Sequence, residues 1–147
     1  VNLIPESQSM QSPDRRMLGV VILAGALYLV VALATAALAA AAGSTSMRFF
    51  WRLSAFAISG VVFVAHLAYE RFRVGSAART TAWRAAVGVA LGALALALAA
   101  NIHDLGSPSG YRPRMLIALV AWPLLGAIPA FVAGLAIAAL LGIRQRA

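Results

Sequence analysis

From Met17 to Ala42 the chain runs without a single charged residue, and three further apolar runs follow, at about Phe49–Tyr69, Trp83–Ile102 and Met115–Gly142. At about 1.5 Å per residue the first would make a helix of roughly 39 Å, longer than the roughly 30 Å hydrocarbon core of a bilayer. The second and third are close to the ~20 residues that one crossing needs. Across the 147 residues, 63% are hydrophobic, 11% are charged and the mean hydropathy is +0.90. Soluble domains are about 25% charged, so the surrounding medium for most of this chain is lipid.

Only helices and closed barrels satisfy their backbone in lipid, and barrel strands alternate in polarity over about ten residues. These runs are apolar on every face. The sequence therefore predicts an all-α membrane protein, an antiparallel bundle of four transmembrane helices. Residues 1–14 form a polar N-terminal tail and 15–147 one transmembrane domain. Arg15 and Arg16 ahead of the first run resemble a signal-peptide n-region, and Ala36 to Gly43 offers small residues for cleavage. Yet the run is about twice the length of an ordinary h-region, so it is read as a retained span.

The 12 basic residues outnumber four acidic ones, giving a net charge of +8. In a soluble protein that balance would suggest nucleic acid, but here every basic residue is an arginine at the border of an apolar run, which points to membrane surfaces instead. The N-terminus, the loop after span two and the C-terminus carry Arg15, Arg16, Arg71, Arg73, Arg79, Arg84, Arg144 and Arg146. The opposite side carries Arg48, Arg52, Arg112 and Arg114. By the positive-inside rule both termini are expected in the cytoplasm. An arginine-only basic set is in keeping with GC-rich coding and a bacterial inner membrane.

Small residues mark where helices approach. Gly88 and Gly92 form a GxxxG pair, and Gly126, Ala130, Gly134, Ala138 and Gly142 recur every four residues on span four. Such stripes let backbones pack closely in lipid. The two stripes are expected to face one another, with a second protomer as the alternative. Pro123 and Pro129 remove backbone donors and would free the carbonyls of Leu119 and Leu125, so a kink or hinge is expected there. Gly43-Ser44-Thr45-Ser46 reads as a tight turn that makes spans one and two neighbours.

Ionisable groups at membrane depth are the default functional candidates. His66, Tyr69, Glu70 and Arg73 stand at offsets of a single helix face. A functional reading has His66 relaying protons, meeting a head group or ligating a tetrapyrrole metal. The preferred reading is an interfacial anchor, with Glu70 paired to Arg73 and His66 bonded to Glu70 or a neighbouring helix. Asn101, His103 and Asp104 form a second polar cluster at the outer end of span three; a His-Asp pair there could bind a metal or polar ligand, but it is read mainly as a cap for the helix end.

With no cysteine there is no thiolate site or disulfide. Phosphate loops, nucleophile elbows and zinc-binding His-Glu-x-x-His helices are missing too. Catalysis is disfavoured and no metal site is expected. The leading expectation is a non-catalytic accessory or partner-binding subunit, embedded in lipid with other subunits or copies of itself. The alternatives are a small transporter or channel, gated by His66 and Glu70 and hinged at Pro123 to Pro129, and a subunit binding haem or pigment.

Overall fold

The computed structural model describes residues 11–106 and 112–144, with side chains placed for 17–106 and 112–142. It is all-helical: α1 is Gln11–Ala41, α2 is Thr45–Tyr69, α3 is Ala78–Leu105 and α4 is Met115–Arg144. All four are long and apolar enough to cross a membrane. Helix α1 reaches back into the segment expected as a polar tail, since residues 11–14 are helical; residues 1–10 lie outside the described set.

Local chemistry moves four boundaries, both ends of α2 and of α3, from where hydropathy alone puts them. Helix α2 starts at Thr45 rather than Phe49 because Ser44 caps it: its Oγ accepts from the Met47 amide at 3.2 Å. A hydroxyl at this position satisfies one of the four unpaired amides that open a helix. Arg48 turns back to the end of α1, its Nε donating to the Ala42 carbonyl at 3.4 Å.

At its other end α2 does not stop at Tyr69. It widens into a π-helical turn, Glu70–Val74, which ends at Gly75 in the left-handed conformation with φ 70°. Glycine takes that conformation without strain, and α3 then begins at Ala78, ahead of Trp83. The polar residues Arg79, Thr80 and Thr81 are thus helical, and the loop between the two helices is only three residues long. The other end of α3 extends through Leu105, so Asn101, His103 and Asp104 lie in its last turns.

Helix α3 is the central post and packs most extensively, against α4 on one side and α1 on the other. Its glycine pair faces α1, not α4, which corrects the expected pairing of the two small-residue stripes. A Cβ added at Gly92 would lie 2.7 Å from Tyr28 Cβ and 3.0 Å from the Gly25 carbonyl. One added at Gly25 would lie 3.2 Å from the Gly88 carbonyl. Gly25 is therefore the partner that the GxxxG pair needs, and backbone meets backbone there. The α4 stripe uses a different face of α3: Gly126 packs on Val89, and Gly134 packs on Ala82 with Phe63 of α2 alongside. Ala138 is fully buried.

Helix α4 contains both Pro123 and Pro129 and is ended by neither. Trp83 and Phe131 meet edge to face, ring centres 6.3 Å apart, across the α3–α4 seam. By contrast, α2 touches α3 and α4 at only a few places. Phe63 and His66 near the end of α2, with Glu70 and Arg71 of the turn that follows it, make contacts of this kind.

Replacing Gly92 with alanine should destabilise the fold by about 1–3 kcal/mol, because neither the Tyr28 Cβ nor the Gly25 carbonyl can yield without separating two helices. Gly19→Ala, at a site with nothing within 4 Å, should be neutral or stabilising by up to about 1 kcal/mol. Unfolding in mixed detergent micelles would measure both; equal effects would contradict the close α1–α3 contact.

Candidate functional site

Among the described residues, polar or open features include a buried ionic cluster where α2 ends, a clasp between α3 and α4, and a groove between α2 and α4. The first is built on Glu70. Its side chain is fully buried, and Oε2 accepts from Arg84 Nη1 at 2.9 Å and from Ser76 Oγ at 3.2 Å. The same Arg84 nitrogen lies 3.2 Å from Ser76 Oγ and 3.2 Å from Met17 Sδ. One carboxylate oxygen thus gathers the end of α2, the short loop and α3, with α1 alongside. Arg71 donates from Nη1 to the Ser76 carbonyl at 2.9 Å. Its guanidinium fills the space where Gly142 lacks a side chain, since a Cβ there would come within 2.6 Å of Nη2.

The expected polar stripe therefore divides. His66 and Glu70 point inward, whereas Tyr69 and Arg73 are exposed. Arg73 is not the partner of Glu70; Arg84 is, because the π-helical turn and the short loop swing α3 under the carboxylate. His66 is buried, packs toward Gly88 and makes no hydrogen bond from either ring nitrogen. The second oxygen of Glu70 and the hydroxyl of Thr81 also have no partner.

The clasp lies at the other end of α3. Asp104 is buried; its Oδ1 accepts from Arg112 Nε at 3.0 Å and Nη2 at 2.6 Å, and its Oδ2 accepts from the Arg112 amide at 2.9 Å. This two-pronged bond to the carboxylate raises the Arg112 guanidinium above its usual value. Asn101 donates from Nδ2 to the carbonyls of Ala97 at 2.8 Å and Met115 at 3.0 Å, joining α3 to the first residue of α4. His103 is exposed and takes no part. Asp104 and Asn101 therefore lock the helix ends, and residues 107–111 of the intervening loop lie outside the described residues.

Between α2 and α4 contacts are few, and open space lies beside α2, walled toward Arg48 and Arg52 mainly by α1 and α2 with Trp122 of α4. Two joined clefts of about 650 and 520 Å³ share Ala32, Phe56, Leu96 and Trp122, one from each helix. The floor is α1 and α3, and Gly60, Pro129 and Ala130 belong to the walls. The shared lining is apolar, with Tyr28 and Ser59 adding hydroxyls in one cleft and Thr35 in the other. Arg48 and Arg52 line the larger cleft.

Among the described residues no group of three or more His, Asp or Glu is placed to hold a metal. The Ser54 hydroxyl donates to the Phe50 carbonyl one turn back at 2.9 Å. Comparison with known proteins yields no match: no family model, curated protein or solved structure is similar to this chain.

Sequence reasoning missed Arg84, Ser76 and Arg112 as partners. A signal was present for the first: Glu70 and Arg84 are equidistant from Ala77, as are His66 and Gly88, so a short hairpin centred there brings both pairs together.

Removing one member of the buried pair leaves an uncompensated charge. Glu70→Ala or Arg84→Ala should lower unfolding free energy by about 3 kcal/mol, while Arg73→Gln should stay within about 0.5 kcal/mol. Denaturation in mixed micelles distinguishes the two, and a larger loss for Arg73→Gln than for Arg84→Ala would reassign the partner.

Proposed function

We propose that this integral membrane protein is a non-catalytic accessory subunit that binds an apolar guest from the bilayer and packs against companion membrane proteins or further copies of itself. The observation that carries the proposal is the groove between α2 and α4: a laterally open, mostly apolar site in a molecule whose Glu70 and Asp104 carboxylates are already tied to arginines of the same chain. Ligand sites of a few hundred Å³ lined mainly by apolar groups are the usual form of binding pockets.

In this reading the four helices alternate in direction and both termini face the cytoplasm of a bacterial inner membrane. Alternation is supported by register. Along α1 and α3, Val21 meets Gly88 and Tyr28 meets Gly92, advancing together, whereas along α4 and α3 Gly126 meets Val89 and Gly134 meets Ala82, running oppositely. Cytoplasmic termini are supported by the larger share of arginines on that side.

A transporter gated by His66 and Glu70 has less support, because Glu70 is held by Arg84 and Ser76 and neither residue lines the two joined clefts. A haem or pigment site on His66 meets the same difficulty, since the imidazole packs toward Gly88 rather than facing the groove.

Purification from native membranes in mild detergent, followed by mass spectrometry of the intact assembly, tests the subunit reading. A companion chain or a second copy at fixed stoichiometry is expected. A homogeneous monomer would overturn the subunit assignment.

A further inference from the structure

We propose that the α2–α4 groove binds an anionic phospholipid, with its phosphate on Arg48 and Arg52 and one acyl chain running down the groove toward Phe63. This rests on the reading that the groove takes a guest from the bilayer, and it adds the chemical class of that guest.

The charge argument comes from how the arginines are used. Arg84 and Arg112 each have a carboxylate. Arg48 and Arg52, one helical turn apart on α2, have none among the described residues. Arg48 spends only Nε, on the Ala42 carbonyl, and Arg52 makes no side-chain hydrogen bond among them. Both line the mouth of an otherwise mainly apolar cleft. Two guanidinium forks beside one another match the oxygens of a phosphate, and their charge at the edge of a hydrocarbon site selects an anion.

The apolar part fits a chain rather than a compact solute. From Arg52 to Phe63 the α2 wall extends about 17 Å, close to half the roughly 30 Å hydrocarbon core, which is the depth of one leaflet. Phe63 lines the groove at that depth and lies beside Gly134 of α4. The side is open to lipid, with Phe56 77% and Trp122 53% exposed. A chain can therefore enter sideways without leaving the membrane. A Cβ added at Gly60, in the wall, would meet nothing within 4 Å, so the groove has unfilled width at its middle.

Trp122 lines both clefts and serves as a reporter once Trp51 and Trp83 are replaced by phenylalanine. The full chain is reconstituted in phosphatidylcholine vesicles containing either phosphatidylglycerol or phosphatidylcholine with brominated chains, and Trp122 quenching is titrated. Brominated phosphatidylglycerol should quench at about fivefold lower mole fraction than brominated phosphatidylcholine. The Arg48→Gln/Arg52→Gln variant should abolish that difference, and Gly60→Phe, which fills the groove, should weaken quenching by both lipids. Gly60→Leu serves as a smaller second filler, and mixed-micelle unfolding checks that each variant is folded. Equal quenching by the two lipids in the otherwise unsubstituted protein overturns the anionic preference while leaving a groove guest in place. Quenching untouched by both fillers shows that Trp122 senses only surrounding lipid, and overturns the guest reading itself.

Discussion

A fully buried carboxylate at the end of a membrane helix is costly unless a cation meets it, and the arrangement of α2 depends on how this chain meets that demand at Glu70. The π-helical turn after Tyr69 and the left-handed Gly75 bring Arg84 of α3 to 2.9 Å from Glu70, with Ser76 completing the contact. The pair fixes one end of α2 against the rest of the molecule. Phe63 beside Gly134 and Arg71 in the space left by Gly142 reinforce the same end. Along its length α2 packs against α1, and the short Ser44-capped turn joins the two at the other end. A helix packed on α1 and pinned to α3 near Gly75 touches α4 at only a few places, and the groove is the space those missing contacts leave.

Helix α3 makes that geometry possible by presenting two unlike faces. Toward α1 it offers Gly88 and Gly92, which allow backbone contact with Gly25. Toward α4 it offers Ala82, Val89 and Ala93, into which the small residues of α4 fit. In lipid there is little hydrophobic drive to bring helices together, so such close steric fit supplies much of the association. Asp104 with Arg112 and Asn101 with Met115 then hold α3 and α4 in register at the end opposite Glu70. Polar bonds thus sit near the ends of α3 and glycine contacts occupy its middle, a division that keeps charged groups near the membrane border.

How much of this is legible from sequence differs from feature to feature. Four long, predominantly apolar stretches dictate four helices because lipid allows few other solutions. The helix boundaries are harder, because Thr45–Arg48 and Ala78–Ala82 are polar or mixed, and hydropathy stops where capping and loop geometry carry the helix on. His66 and Glu70 share a face at helical spacing, and the same spacing puts Tyr69 and Arg73 on it too; their outward orientation depends on where α3 lies, which one helix cannot encode. Nearness in sequence favours Arg73 as the partner of Glu70, whereas Arg84 is near only through the hairpin. The groove is not legible at all. It arises from a contact that α2 and α4 fail to make, and no residue pattern within either helix states an absence between them.

The claim that the Glu70–Arg84 pair pins α2 is tested most directly by distance measurement with paired spin labels, for which the cysteine-free chain is suited. Labels at Phe72→Cys and Leu140→Cys, two exposed positions on the π-helical turn and α4, should give one narrow distance in lipid nanodiscs. Glu70→Gln should broaden that distribution and move it to longer distances, as the freed end of α2 separates from α4. A distribution that Glu70→Gln leaves unchanged in centre and width would contradict the pinning of α2 and, with it, the origin assigned to the groove.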